Sequence, residues 1–249
     1  AAPRGVDIGT GGSCIFPLMG NAMHGWTFVA TDIDPVALEA AQRNVARNGM
    51  QRAVSLRLVR SEGSVLRDIV EQSDGAFDFS MCNPPFFASM AAVDPNPFGS
   101  CEGVATELVT AGGEVAFVGR IIEESVAVAQ RVRWFTSMVG CKSSVRPLLR
   151  KLRAAGITNV CTMVFVQGVT RRWGIAWSFS NDGYRVAHNG LVPTAARDGA
   201  DARIFGRKKD VAESAKKVRA LERAFDVEIA APAVACGGGG GAAAAHAHA

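Results

Sequence analysis

No stretch of this 249-residue chain approaches the ~18 consecutive apolar residues that a membrane-spanning helix requires. Charge of one sign is also in short supply: the formal net charge is +4, a mild basic excess that can help meet a polyanion but decides nothing alone. The six cysteines (Cys14, Cys82, Cys101, Cys141, Cys161 and Cys236) are scattered and form no C-x-x-C pair. That spacing argues against a zinc site and against a disulfide framework, and favours reduced thiols in an intracellular protein. No signal-peptide pattern is visible. The sequence opens Ala1-Ala2-Pro3 and enters a strand almost at once, so a preceding segment is expected. What remains, 48% hydrophobic and 20% charged, is material for one substantial α/β core.

Apolar runs and helical spacing alternate along the chain. Gly5–Ile8 predicts a strand running into Gly9-Thr10-Gly11-Gly12, followed by a helix from Cys14 to Met23. Trp26–Thr31 predicts a second strand, closed by Asp32-Ile33-Asp34, and Pro35 suits the first turn of a helix reaching Asn48, with Gly49 as its cap. Residues 54–59 and 77–82 read as strands, 65–71 as a short helix, and 88–112 as a mobile loop rich in proline and glycine. A helix is expected over 113–132, with Val115, Val118, Ile121, Ile122 and Ser125 at the helical period. A strand at 134–139, a helix at 146–155 and a hairpin of 160–166 with 173–179 complete the pattern. This is an α/β arrangement: a mainly parallel, seven-stranded sheet with a terminal antiparallel hairpin.

Two strand exits carry a candidate donor site. The glycines of Asp7-Ile8-Gly9-Thr10-Gly11-Gly12 let backbone approach a ligand, and Asp7 can order the loop or accept from a ligand's ammonium. A tight strand–helix turn would look the same. Asp32, at the exit of the second strand, can accept from the two hydroxyls of a ribose, while Asp34 before Pro35 fills the helix-capping role. The loop lacks the third glycine of the dinucleotide fingerprint. S-adenosylmethionine, which has a ribose but no pyrophosphate, fits better than a nicotinamide dinucleotide.

The acceptor side is Asn83-Pro84-Pro85-Phe86, at the end of the strand 77–82. The Asn83 side-chain oxygen and the Pro84 carbonyl are two acceptors held at a fixed angle, because proline locks φ and restricts its predecessor. They suit the two hydrogens of an exocyclic amine, and Phe86 offers a face on which a flipped base stacks. A strand-terminating Pro-Pro turn is the alternative without function. Similar tetrapeptides serve protein-glutamine and DNA-adenine methylation, and a non-catalytic RNA-binding module can retain the same fold.

The segments Asp7–Gly12, Ala30–Asp34 and Met81–Ala88 resemble the methyltransferase-like protein 16 family, whose members include RNA N6-adenosine methyltransferases acting on U6 small nuclear RNA and bacterial relatives acting on large-subunit ribosomal RNA. The likeness continues through Gly112–Glu114, Phe117–Ile122, Arg133-Trp134, Gln167-Gly168 and Arg172–Phe179. It implies a Rossmann-like class I methyltransferase using S-adenosylmethionine on adenosine in structured RNA. Gly9, Gly11 and Asp32 would lie at the donor and Asn83, Pro84, Pro85 and Phe86 at the acceptor, with Ser13 and Ser64 as further candidates for donor contacts. Three departures from the family pattern are expected: at the N-terminal basic segment, which the residues from Ala1 onward do not include; at the stretch before Ser64, which reads Arg60-Ser61-Glu62-Gly63; and at the loop 89–104, which is short and nearly free of arginine.

These readings divide the chain into a catalytic domain over 1–180, a basic extension over 181–236 and a low-complexity tail over 237–249. Trp134, Trp173 and Trp177 read as core residues. Arg120, Arg131 and Arg133 read either as phosphate contacts or as a solvated face. The cluster of Arg203, Arg207, Lys208, Lys209, Lys216, Lys217 and Arg219 is a further candidate for polyanion binding. His246 and His248 are too isolated to propose as metal ligands.

Overall fold

A computed structural model of the chain describes residues 2–60, 63–85, 110–167 and 170–180. Phe86, most of the 88–112 loop, the basic cluster at 203–219 and the 237–249 tail lie outside the described residues. Strands β1 (Arg4–Ile8), β2 (Thr27–Asp32), β3 (Val54–Leu58), β4 (Phe77–Cys82), β5 (Val132–Val139), β6 (Asn159–Gln167) and β7 (Thr170–Ser178) form one sheet in the order β3-β2-β1-β4-β5-β7-β6. The first five are parallel, and β7 pairs antiparallel with both β5 and β6.

Helices α1 (Ile15–His24) and α2 (Pro35–Arg47) connect the strands on one side of β1, while α3 (Arg67–Glu71), α4 (Gly113–Ala127) and α5 (Lys142–Ala154) belong to the other half. Two cores result. Leu18, Phe28, Ala30, Ala41 and Val45 pack under α1 and α2. On the second side, Val6, Ile8, Val118, Ile121, Ile122, Phe135, Leu148 and Trp177 pack together. Trp177 is fully buried and its indole N–H donates to Ser125 Oγ at 3.0 Å, so the one polar atom of the ring is satisfied inside the core. Gly5 is dictated by crowding: a Cβ there would lie 2.5 Å from the Phe79 ring. No helix among the described residues is long and apolar enough to cross a membrane.

Several boundaries differ from the sequence expectation. The helix expected over 113–132 ends at Ala127, and β5 begins at Val132 rather than Trp134. Val128 and Val132 are both buried and imitate a helical i, i+4 pair, but Val132 is already a strand residue paired with Phe77. α5 starts at Lys142, four residues before the expected Arg146, because Glu114 accepts from the Gly140 and Cys141 amides and turns the chain there. Pro147 therefore lies inside the helix, and the carbonyl it fails to engage belongs to exposed Ser143. Both hairpin strands run longer than expected, with pairing kept to Gln167↔Thr170.

Candidate active site

The chain leaves β1 for β2 and β3 on one side and returns at β4 on the other. That reversal opens a crevice beyond the C-terminal ends of β1 and β4, the place where ligands of open α/β sheets bind. The segments singled out in the sequence meet there. Ile8 pairs with Cys82, so Gly9 and Asn83 leave adjacent strands side by side. Ile8 also pairs with Thr31, which brings Asp32 to the same edge.

The glycine loop is fastened from below. Thr10 N donates to Thr31 O at 2.8 Å, Gly11 N to Asp32 Oδ2 at 2.8 Å, and Asn44 Nδ2 to Gly12 O at 2.9 Å. Gly9 and Gly11 have φ of 71° and 64°, a region costly for residues with a Cβ. A Cβ on Gly9 would meet nothing within 4 Å, so conformation alone demands glycine and the space beside it is open.

The two carboxylates of this edge differ. Asp32 accepts from Gly11 N through Oδ2 and from Asp34 N (3.0 Å) through Oδ1; it orders the loop while retaining acceptor capacity. Asp34 caps α2, accepting from Val36 N at 2.9 Å with Pro35 in the first turn. Asp7 is fully buried, and neither of its oxygens has a hydrogen-bond partner. Burial pushes its carboxyl up to about 7; the nearby Thr10 hydroxyl offsets this in part, and the Asp32 charge adds to it. The Thr10 hydroxyl is directed to Cys14 Sγ at 3.4 Å, leaving Asp7 unmatched by geometry. Burial and the proximity of Asp7 hold the Cys82 thiol well above its usual range, and burial carries Cys14 to about 12, so both stay protonated.

On the acceptor side, Asn83 is exposed, Pro84 buried and Pro85 half-buried. The Asn83 side chain has no partner among the described residues. Ser13, half-buried in the turn before α1, is likewise without one. Ser64 is occupied: its hydroxyl donates to Glu124 Oε2 at 2.5 Å and accepts from Asp68 N at 3.0 Å. Glu124 also accepts from Val65, Leu66 and Arg67 amides. Burial works to raise this carboxyl, but the donors outweigh it and leave it below its usual range.

Arg120 and Arg131, read from sequence as phosphate contacts or a solvated face, serve the fold. Arg120 donates to Gly63 O, and Arg131 to the carbonyls of Val70, Ser73 and Gly75. Sequence reasoning also passed over Asn44 and Glu124. Asn44 carried a readable signal, an amide in the buried stripe Ala37, Ala40, Ala41, Val45 of α2; Glu124 carried none. Among the described residues no group of His, Cys, Asp or Glu is placed to hold a metal ion.

The sheet order and the switch-point crevice define a Rossmann-like class I methyltransferase fold. A family model described as RNA methyltransferase matches residues 1–181, and the chain belongs to that family. The RNA N(6)-adenosine-methyltransferase METTL16 of Mus musculus is 39% identical over 188 residues, covering 72% of this chain and 34% of that protein. The U6 small nuclear RNA (adenine-(43)-N(6))-methyltransferase of Schizosaccharomyces pombe is 40% identical over 179 residues, covering 70% of this chain and 46% of that protein. The chain thus spans about a third of the length of the mouse relative. Among solved structures, the hMettl16 catalytic domain in complex with MAT2A 3'UTR hairpin 1 superposes with a TM-score of 0.65 at 40% identity, over 72% of this chain and 65% of that one. The N-terminal domain of human METTL16 in complex with SAH gives a TM-score of 0.61 at 38% identity, over 73% and 63%.

Proposed function

We propose that this chain, through a catalytic domain spanning residues 1–180, transfers a methyl group from S-adenosylmethionine to the N6 amine of adenosine in structured RNA, of the U6 small nuclear or ribosomal kind. One observation carries the reading: at a single switch point, an unpartnered Asn83 on the Pro84-Pro85 turn stands beside an open glycine loop and a buried, unmatched Asp7. The relatives named for RNA adenosine methylation and the SAH-bound structure support it. Such a substrate places the work inside the cell, in nucleus or cytoplasm.

The residues present fit the donor. A cationic ligand gives Asp7 the partner it lacks, and the space beside Gly9 admits it. Asp32 keeps lone pairs for ribose hydroxyls, and Ser13 has a free hydroxyl near the loop. When bound, the donor supplies an electrophilic methyl group on a sulfonium. Asn83 Oδ1 and the Pro84 carbonyl accept the two amine hydrogens, turning the nitrogen lone pair toward that methyl group. Their acceptance strengthens as the amine loses conjugation and gains positive charge, which favours the transition state over the ground state. No strong general base is required, because the nitrogen becomes acidic only as it is alkylated. Phe86 would hold the flipped base by stacking.

The test is methyl transfer from labelled donor to structured RNA, to DNA and to a glutamine-bearing peptide. Label in N6-methyladenosine of the RNA is expected. Label only in DNA or peptide overturns the substrate, and RNA binding with no transfer to any of the three favours a non-catalytic module.

A further inference from the structure

Helix α5 contains no acidic residue. Its Lys142, Arg146, Arg150 and Arg153 are all exposed and follow one another at steps of four, four and three residues. Those steps place the four cations on one face, a ridge of about 16 Å at 1.5 Å of rise per residue. The opposite stripe, Ser144, Leu148 and Leu152, is buried in the core. Among the described residues none of the four has an ion-pair or hydrogen-bond partner, whereas Lys151 on the same helix pairs with Glu123 at 2.7 Å. A solvated helix face ordinarily mixes signs at i, i+4; here the neighbours at that spacing repel, and only a polyanion relieves them all together.

The ridge begins at the crevice. α5 follows β5, whose last residue, Val139, lies at the C-terminal edge of the sheet. Ser80 pairs with Phe135, and the same register continued by three residues sets Asn83 beside Met138. Lys142 therefore stands on the acceptor side, one strand over from Asn83, and the other cations lead away from it. We infer that this face of α5 is a phosphate track for the RNA strand whose adenosine enters the Asn83 site. The inference rests on the RNA reading above and adds where that RNA runs.

Three of the four cations are arginine, whose planar fork suits the paired oxygens of a phosphate. Their steps of about 6 Å along the helix follow a strand, not a compact anion. A membrane surface fits less well, because an interfacial helix buries an apolar face in lipid and the apolar face of α5 is already against the sheet.

The test compares wild type, a variant with K142A, R146A, R150A and R153A together, and an R52A control on the exposed turn before β3. Alanine is the best helix former, so α5 survives the change. Affinity for the structured RNA is measured over a salt series, alongside donor affinity and the rate at saturating RNA. The quadruple variant is expected to lose at least tenfold in RNA affinity at physiological salt, and the slope of log K against log salt falls by about three, at roughly 0.7–0.9 for each phosphate no longer neutralised. Donor affinity, the saturated rate and the R52A slope stay at wild-type values. RNA binding with an unchanged slope, or an equal loss per charge in R52A, overturns the track and leaves the proposed activity standing. A wild type that binds donor but no RNA overturns the track and the RNA reading together.

Discussion

The two ends of the sheet treat their polar groups in opposite ways. At the N-terminal edge of the parallel strands a cleft of about 490 Å³ is lined by Phe77, Asp78, Arg131, Arg133, Phe179 and Ser180. Its polar groups are spent on the fold: Arg4 N donates to Asp78 Oδ2, the Arg4 guanidinium lies over the Phe77 ring, and Arg131 binds three carbonyls. At the C-terminal edge the order is reversed. Among the described residues, Asp7 is buried with both oxygens unmatched, Asn83 is exposed without a partner, and Gly9 leaves open space. The cleft at the N-terminal edge thus has its polar groups already matched within the fold. Unmet hydrogen-bonding capacity marks the C-terminal edge instead, since leaving it unmet costs stability that a bound ligand can recover.

The sharpest way to break this contrast is N83A. Methyl transfer to RNA adenosine is expected to fall by at least about 100-fold, some 2.7 kcal/mol of transition-state stabilisation. Donor affinity and the unfolding midpoint should hold, because the exposed Asn83 side chain bonds to nothing among the described residues. A variant retaining near-wild-type transfer removes the acceptor assignment.

Asp7 gives the next largest effect. With the folded carboxyl near 7 against 3.8 ordinarily, the ligand-free folded state holds a proton through that window which the unfolded state has lost. Its cost is absent below the lower value, grows as pH rises and is complete above the upper one, on the order of 4 kcal/mol at most. Relative to D7N, the free wild type should therefore lose urea stability as pH is raised from 5 to 8. Binding of a cationic donor favours the ionised form, so affinity should drop by about fivefold from pH 7 to pH 6 as the ionised fraction falls. The groups facing Asp7 are Thr10, Cys14, Asp32 and Cys82, none of them cationic. Calorimetric titration of the donor should find D7N weaker and flat over that range. A wild-type affinity that does not change with pH would separate Asp7 from the donor.

R131A addresses the other end and should have the smallest effect on function. Loss of its bonds to Val70, Ser73 and Gly75 is expected to cost about 2 kcal/mol in urea unfolding, with the saturated transfer rate at 25 °C unchanged. A large fall in that rate without a fall in stability would assign chemistry to the N-terminal edge.

Much of this contrast was legible in the residues. β4 lies at 77–82 as the apolar run indicates, and the glycines at 9 and 11 have the positive φ that a close backbone approach suggests. The division of labour between the acids was not legible. The sequence offered Asp7 for ordering the loop and Asp32 for a ribose, but the bond from Gly11 N to Asp32, set by the β1–β2 register, gives the loop-ordering task to Asp32. The overrun of α4 has a similar cause, since Val128 and Val132 satisfy a helical period and only pairing with Phe77 makes Val132 a strand residue. The basic spacing on α5 lay in plain sight. Its meaning depended on where the helix begins, which Glu114 decides from α4.

By itself the sequence determined the alternation of strands and helices, the turn chemistry of Gly9–Gly12 and the stiff turn of Asn83-Pro84-Pro85, because these follow from local periodicity, from the freedom of glycine and from the fixed φ of proline. The tertiary structure alone decided which acid would be left unpaired and where the charged face of α5 would stand relative to Asn83. Both depend on strand order and register, which set distances between residues far apart in the chain that no local preference encodes.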